Sequence, residues 1–278
     1  MNIGIVGLGL IGGSLAKSIK TRTDHMVKGI DTDSETMLLA RMCGAIDEKL
    51  SEDNIADCDL IFLAIRPQAA IDWVRENAGK INKTSTVVDM CGVKRVVCAG
   101  ITPIAREYGF GYIGGHPMAG TERGGFVSST PDMFEGASMI LTPDESTDMP
   151  LLERLKELFT DIGFANLTFS TPDEHDRIIA YTSQLAHIVS SAYVKSPEAL
   201  RRRGFSAGSF RDMTRVARLD EAMWTELFTD DSDYLTEQLE ILIGHLNEYL
   251  DVLKAGDSDK LRELLKDGRE RKALAGGK

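Results

Sequence analysis

The first 170 residues alternate short apolar runs with longer stretches of helical periodicity. The apolar runs predict strands at Ile3–Val6, Val27–Ile30, Leu60–Ile65, Thr86–Asp89, Gly111–Gly114, Ser138–Leu141 and Asn166–Phe169. The stretches between them predict helices at Gly13–Lys20, Ser34–Met42, Gln68–Asn77, Val96–Glu107 and Pro150–Ile162. Strands that alternate with helices form a mostly parallel sheet with helices on both faces. The first part of the chain is therefore predicted to be an α/β domain.

The pattern changes near Thr171, after which we find no apolar run typical of a strand. Thr171, Pro172, Asp173 and Glu174 are typical of a helix start, with a capping hydroxyl, proline at the first position and acidic residues in the first turn. The rest of the chain predicts helices at Pro172–Tyr193, Ser206–Ala217, Glu221–Phe228, Asp230–Lys254 and Ser258–Arg271. We therefore predict an α/β domain over residues 1–170 and an all-α domain over residues 171–278.

One predicted helix is unusually apolar. Between Tyr234 and Leu253 it carries apolar residues at helical spacing, namely Leu235, Leu239, Leu242, Ile243, Leu246, Tyr249 and Leu250. A small helical domain rarely needs so much apolar surface. Two interpretations stay open, an ordinary core helix and a subunit interface.

The charge balance restricts the class of partner. The 43 acidic and 32 basic residues give a formal net charge of −11, which disfavours binding to nucleic acid or to anionic membrane surfaces. No apolar run approaches the roughly 20 residues of a membrane span. The four cysteines form no CxxC pair and are expected to be free thiols in a reducing compartment, so a cytoplasmic location is predicted. No metal site is predicted.

A glycine-rich loop follows the first predicted strand. Gly7, Gly9 and Gly12 form a GxGxxG pattern, with Leu10 and Ile11 inside it, and a helix starts directly after the loop. Asp31 stands nineteen positions after Gly12, at the end of the next strand. This context is the dinucleotide-binding pattern of Rossmann-type domains: the glycines admit the pyrophosphate at a helix N-terminus and the acidic side chain binds the ribose. Because Asp31 would repel a 2′-phosphate and no basic residue follows it directly, NAD is predicted rather than NADP.

Histidine suits the proton transfer that accompanies hydride removal from an alcohol. His116 follows a predicted strand, in the region where open α/β sheets bind ligands. A loop histidine without a catalytic role is the alternative for His116. His187, on a predicted helix, is either a site residue or a satisfied core histidine.

Several motifs together carry a family resemblance. They are GLGLIGGSLA at residues 7–16, HPMAGTE at 116–122, Asp176 followed by Ser183 and His187, and FRDMTRVA at 210–217 followed by Trp224. In this order, over residues 1 to about 255, they resemble the prephenate dehydrogenase family. The resemblance implies a Rossmann-type domain with a C-terminal helical dimerisation domain, and hence a homodimer. It also implies NAD-dependent oxidation of prephenate, or of its amino analogue arogenate, with loss of carbon dioxide in tyrosine biosynthesis.

The resemblance also implies roles for individual residues. His116 would bond the substrate hydroxyl and accept its proton, Arg215 would grip a substrate carboxylate, and His187 would be a second substrate contact. Glu122, Asp176, Asp212 and Trp224 match further motif positions, with roles in gating, orientation or interface packing. Asp212 is expected to hold Arg215 in position when no substrate is bound, because the two lie three residues apart on a helix.

The sequence departs from the family pattern in two places. Many members have a serine just before Val-Lys in the loop after the fifth strand, where this chain has Gly92. Water, the cofactor ribose or Cys91 could supply the missing polar group. In addition, the chain ends soon after the last predicted helix, so we expect no C-terminal regulatory domain, and any tyrosine feedback would act at the active site.

Other functions remain open on the residues alone. A β-hydroxyacid dehydrogenase or a pyrroline-5-carboxylate reductase also joins a Rossmann-type half to helices, although neither needs His116 together with Arg215. A non-catalytic NAD sensor would keep the glycine loop and Asp31 and would have no use for a catalytic histidine. The sequence does not separate prephenate from arogenate.

Overall fold

A computed structural model describes residues 1–276 of the chain. These residues form two compact units, of which the first spans Met1–Asp231 and the second begins at Ser232. Among the described helices, none combines the length and apolar character that a membrane span requires.

The first unit is built on an eight-stranded sheet in the order β3-β2-β1-β4-β5-β6-β7-β8. All neighbouring strands are parallel except β6 and β7, which pair antiparallel. The strands are β1 (Asn2–Val6), β2 (Met26–Ile30), β3 (Glu48–Lys49), β4 (Leu60–Leu63), β5 (Thr86–Asp89), β6 (Gly111–Pro117), β7 (Ser138–Thr142) and β8 (Asn166–Phe169). This mostly parallel sheet confirms the predicted fold class.

Helices cover both faces of the sheet. The intervening helices are α1 (Leu10–Arg22), α2 (Ser34–Met42), α3 (Pro67–Asn77), α4 (Arg95–Tyr108) and α5 (Met149–Asp161). Side chains alternate between the faces along each strand, so Leu60 and Phe62 of β4 enter one apolar cluster while Ile61 and Leu63 enter the other. Burial on both faces explains why β4 has no polar position.

The remaining helices are α6 (Pro172–Ile179), α7 (Leu185–Tyr193), α8 (Gly208–Thr214) and α9 (Glu221–Asp230) in the first unit, and α10 (Ser232–Ala255) and α11 (Ser258–Ala275) in the second. The predicted start of α6 is confirmed, because the Thr171 side chain accepts a hydrogen bond from the Glu174 N–H and Pro172 occupies the first turn. Since the first unit ends at Asp231, α6 to α9 pack with the sheet. The division into domains at residue 171 stays a prediction.

The structure differs from the predicted elements most clearly in four places. The two-residue edge strand β3 was not predicted, because both its side chains are exposed and it has no apolar pattern. The predicted strand Gly111–Gly114 continues to Pro117 through its pairing with β7, so His116 lies within β6 and not after it. The predicted helix Pro172–Tyr193 contains a π-helical turn at Ala180–Gln184, and the predicted helix Ser206–Ala217 is only seven residues long.

Candidate active site

The glycine loop connects β1 to α1 as the sequence predicted. Gly7 has φ +85°, and a Cβ on Gly12 would lie 1.8 Å from the Gly7 carbonyl oxygen, so neither position accepts a side chain. A Cβ on Gly9, in contrast, would meet nothing within 4 Å. The first-turn amides of α1, which include Leu10 and Ile11, have no acceptor within the helix. An open space at this N-terminus fits a pyrophosphate group.

Asp31 at the end of β2 reaches back to this loop. Its Oδ2 accepts a hydrogen bond from the Leu8 N–H at 2.7 Å, and its Oδ1 accepts one from the Asp33 N–H at 2.9 Å. A carboxylate has about four acceptor positions, so capacity remains for ribose hydroxyls. The neighbouring Asp33 carboxylate caps α2. Two carboxylates at this position fit an unphosphorylated ribose better than a 2′-phosphate.

His116 is linked to two other side chains in a hydrogen-bonded chain. Its Nδ1 lies 2.9 Å from Nε2 of His175, and Nδ1 of His175 lies 2.7 Å from Oδ1 of Asp176. The pKa of His116 is held well below its usual 6.5 by burial, by His175 and by Lys94. His116 is therefore neutral near pH 7 and able to accept a proton.

A buried ion pair lies next to the backbone that carries His116. The Lys94 ammonium group donates hydrogen bonds to the Asp89 carboxylate and, at 2.6 Å, to the Gly115 carbonyl. Tyr112 donates its hydroxyl proton to the other Asp89 oxygen at 2.8 Å. Both charged side chains are inaccessible to solvent. This cluster fixes the backbone next to His116 and places a positive charge behind it.

A second polar network fixes α6 and α9 against the start of α4. Asp176 accepts hydrogen bonds from the backbone N–H groups of Lys94 and Arg95, at 2.7 and 2.8 Å. The Arg95 guanidinium lies 3.4 Å from Asp176 and 2.9 Å from Asp231, while Gln184 donates to Asp231 at 3.0 Å. Because both aspartates are fully buried, this pairing holds the helices at fixed positions relative to the sheet.

The helices bring the predicted substrate contacts together. The Arg215 guanidinium donates a hydrogen bond to Oε1 of Glu122 at 3.2 Å, which places Arg215 beside the loop that follows His116. The rings of His187 and Trp224 lie 3.9 Å apart between centroids. Burial lowers the pKa of His187, and the positive charge of Arg215 lowers it further. Arg215, Glu122, His187 and Trp224 thus form one cluster.

Two expectations about this region need correction. Asp212 does not hold Arg215; it lies 4.0 Å from Nε of Arg211, and Glu122 is the residue that pairs with Arg215. Cys91 does not supply the missing polar group either, because its thiol bonds the Ile65 carbonyl at 3.4 Å. Burial also raises the pKa of the Cys91 thiol, which therefore stays protonated.

Gly92 lies directly in front of the catalytic candidate. A Cβ at this position would lie 4.0 Å from Nε2 of His116 and 3.4 Å from Cδ2 of Leu227 on α9. Gly92 does not have a positive φ, so its backbone accepts other residues. The Nε2 side of His116 therefore faces the family's serine position and α9.

Sequence reasoning missed His175, Asp89, Lys94 and Arg95. The sequence contained one usable signal, a histidine directly before an aspartate in the first turn of α6. The other three residues come from β5 and the α4 start, and only the packing of α6 on α4 shows that they matter.

Two family models match the chain one after the other. The family model described as the prephenate dehydrogenase nucleotide-binding domain matches residues 15–166, and the model of the prephenate dehydrogenase dimerization domain matches residues 171–267. The prephenate dehydrogenase of Bacillus subtilis is 28% identical over 276 residues, which cover 96% of this chain and 74% of that protein.

Two solved structures are similar over nearly the whole chain. Prephenate dehydrogenase from Aquifex aeolicus, in complex with hydroxyphenyl propionate and NAD+, has a TM-score of 0.83 at 28% identity and covers 99% of this chain and 98% of that one. Arogenate dehydrogenase from Synechocystis has a TM-score of 0.82 at 27% identity, covering 99% and 100%. The first family model alone spans more than half of the chain. With its nucleotide-binding and dimerization domains in this order, the chain belongs to the prephenate dehydrogenase family of oxidoreductases.

Proposed function

We propose that the protein oxidises prephenate to 4-hydroxyphenylpyruvate and carbon dioxide, with NAD as the hydride acceptor. The observation that carries the proposal is the neutral His116, whose Nδ1 is occupied by His175 and whose Nε2 faces the region between Gly92 and α9. A base so placed can accept the proton of a substrate hydroxyl. An oxidoreductase that acts on a ring alcohol needs this group.

The residues that would hold the cofactor are those of the glycine loop and Asp31. Gly7, Gly9 and Gly12 would admit the pyrophosphate to the α1 N-terminus, with Leu10 and Ile11 contributing backbone amides, and Asp31 would accept hydrogen bonds from the ribose. When bound, NAD supplies the hydride acceptor. The likeness to the Aquifex aeolicus complex supports this assignment.

The protein's own part in the reaction is orientation and proton transfer. Arg215 would hold a substrate carboxylate by bidentate hydrogen bonds, a geometry suited to guanidinium. His187 and Trp224 would line the same cluster, and Glu122 would release Arg215 as the substrate binds. Nε2 of His116 would accept the hydroxyl proton as the ring carbon that bears this hydroxyl is oxidised. Formation of the aromatic ring then drives loss of the ring carboxylate as carbon dioxide.

Arogenate is the second candidate substrate. It differs from prephenate in an amino group that replaces the keto group of the side chain, and the similarity to the Synechocystis arogenate dehydrogenase favours it. Both substrates share the hydroxyl that His116 would bond and the carboxylates that Arg215 could hold. A comparison of kcat/KM for prephenate and arogenate decides between them.

The test of the function is NADH formation from prephenate, arogenate and a set of 3-hydroxy acids. We expect activity with a cyclohexadienyl substrate, and a fall in kcat of roughly 10²–10⁴-fold in His116→Asn with little change in the KM for NAD. His25→Asn, in the turn before β2 and so at the amino ends of the parallel strands, is the matched control and should leave kcat unchanged. A folded His116→Asn protein with near-normal kcat would refute the proposed base.

The pH profile gives a further check. Burial, His175 and Lys94 all lower the pKa of His116, so falling pH protonates this base only below the ordinary histidine range. We therefore expect kcat/KM to hold through pH 6.5, the ordinary histidine value, and to fall only at lower pH. The acid limb should be absent from the residual activity of His116→Asn.

We also propose a homodimer formed through the C-terminal helices. Helix α10 exposes a run of apolar side chains: Ile243 is 48%, Leu246 57%, Leu250 46% and Leu253 63% exposed. Such a surface on a single chain is typical of an interface, and the matching family model describes a dimerization domain. Sedimentation should give twice the 30.5 kDa chain mass. Leu246→Glu should shift the protein toward the single-chain mass, and an unshifted dimer would refute this interface.

A further inference from the structure

His175 lies in the first turn of α6 and has no role in the mechanism so far. Its side chain is inaccessible to solvent, and both ring nitrogens have hydrogen-bond partners within the protein. Nε2 lies 2.9 Å from Nδ1 of His116, and Nδ1 lies 2.7 Å from Oδ1 of Asp176. The two imidazole rings are 5.1 Å apart between centroids and tilted by 59°. His175 therefore separates the candidate base from a buried carboxylate.

The direction of the hydrogen bonds follows from Asp176. Its two oxygens accept the N–H groups of Lys94 and Arg95, and the Arg95 guanidinium lies 3.4 Å away, so it acts as an acceptor. Nδ1 of His175 must then carry a proton and donate a hydrogen bond to Asp176. In a neutral imidazole the other nitrogen is an acceptor, so Nε2 of His175 accepts a hydrogen bond from the Nδ1–H group of His116.

This order of donors leaves one nitrogen of His116 with a lone pair. With Nδ1 protonated, Nε2 is the proton acceptor, and Nε2 is the atom that faces the Gly92 position at 4.0 Å from a Cβ built there. Free imidazole has no such constraint. The tautomer that the reaction requires is thus imposed by a neighbour from α6.

We propose that His175 is a positioning residue that fixes His116 in its Nδ1-protonated tautomer and, backed by Asp176, stabilises the imidazolium that forms on His116. The second half of this inference rests on the proposed function. The substrate hydroxyl loses its proton to Nε2 of His116, where a new N–H bond forms. The positive charge so created on His116 is shared through its Nδ1–H bond with His175, and the proton later leaves Nε2 for solvent.

The surrounding charges make such support necessary. Burial lowers the pKa of both histidines, and Lys94 from the start of α4 lowers it further. Asp176 raises the pKa of His175, as does Asp89 from β5 to a smaller extent. Without the chain to Asp176, a protonated His116 would face Lys94 in a poorly solvated place. The carboxylate offsets that cost through His175.

The experiment compares His175→Phe with His175→Gln. Phenylalanine fills a similar volume and cannot accept the His116 Nδ1 proton. The Gln side-chain oxygen can take the place of Nε2 and accept it. The matched control is Gln184→Leu, which removes a buried hydrogen bond to Asp231 in the neighbouring π turn without touching His116.

The first readout is the tautomer of His116, measured by ¹⁵N NMR of the histidine-labelled protein and assigned with His116→Asn. We expect a protonated Nδ1 and an unprotonated Nε2 in the wild type, His175→Gln and Gln184→Leu. In His175→Phe we expect a shift toward the Nε2-protonated form. An Nε2-protonated His116 in the wild type, or an unchanged tautomer in His175→Phe, would overturn the proposal.

The second readout is steady-state kinetics with the substrate that the wild type uses. His175→Phe should lose at least about tenfold in kcat with the KM for NAD within about twofold, and His175→Gln should recover part of the loss. Equal kcat values in His175→Phe and the wild type would overturn the catalytic half. If the wild type oxidises neither prephenate nor arogenate, the proposed function is refuted. The NMR measurement still decides the tautomer of His116 in that case.

Discussion

Replacing Arg215 with alanine is expected to weaken substrate binding far more than it weakens the fold. In the structure the Arg215 side chain is 64% exposed, and its ion-pair partner Glu122, 3.2 Å away, is 46% exposed. Ion pairs with this exposure contribute at most about 1 kcal/mol to stability, because water and salt screen them. The free energy of unfolding of Arg215→Ala should therefore stay within about 1 kcal/mol of the wild-type value.

The effect on binding is larger because the substrate removes Arg215 from water. The chain carries a net charge of −11, so an anionic substrate depends on local cations and not on the overall field. Losing one partner of a desolvated, hydrogen-bonded charge pair costs roughly 2–5 kcal/mol. At about 1.4 kcal/mol per tenfold, this corresponds to a rise in KM for prephenate from roughly 30-fold to several thousand-fold.

The assay is steady-state kinetics with prephenate and NAD varied separately, together with urea unfolding of each variant. Arg211→Ala is the matched control: Arg211 lies one turn before Arg215, is 83% exposed and lies 4.0 Å from Asp212. Its KM for prephenate should change less than about threefold, in keeping with an exposed pair. Arg215→Lys should recover only part of the affinity, because an ammonium group cannot form a bidentate pair.

Three results would refute the reasoning. An unchanged KM for prephenate in Arg215→Ala would mean that another cation holds the carboxylate. Equal losses in Arg211→Ala and Arg215→Ala would mean that only the net charge of α8 matters. A loss of stability well above 1 kcal/mol in Arg215→Ala would show that the ion pair with Glu122 is structural.

Three further perturbations have defined outcomes. The wild type should have a higher kcat/KM with NAD than with NADP, and Asp31→Ser with an added neighbouring arginine should reduce that difference. Comparable kcat/KM values for both cofactors in the wild type would contradict the role of Asp31. Gly92→Ser should fold normally and change kcat by no more than about tenfold, which is the effect of one hydrogen bond to His116. A melting temperature far below that of the wild type would show that the space beside Leu227 is too small for the serine side chain. Lys94→Met should lower the free energy of unfolding in urea by about 3–5 kcal/mol, because it leaves the buried Asp89 carboxylate unpaired. A decrease below about 1 kcal/mol would argue against a charged Lys94–Asp89 pair.

The sequence by itself determined the fold class and the nucleotide loop. Alternating apolar runs and helical periodicity are local signals, and the strand and helix order they gave agrees with the observed sheet. Gly7 and Gly12 were identifiable because their steric requirement acts within a few residues of the chain. The capped start of α6 at Thr171 is equally local, since the cap bonds an N–H three residues away. His116 could be singled out as a candidate for a related reason, its position near a strand end.

Only the tertiary structure decided which side chains surround His116. His175 lies 59 positions from His116 along the chain, and Arg215 lies 93 positions from Glu122, so no periodicity connects either pair. The prediction that Asp212 holds Arg215 was wrong. Helical spacing makes a contact between these two residues possible, but Glu122 from the loop after β6 is the residue that pairs with Arg215. The tautomer of His116 follows from backbone amides at the start of α4 that fix Asp176. Such contacts depend on how α6 packs against α4, and that packing is set by burial over the whole sheet and not by any one segment.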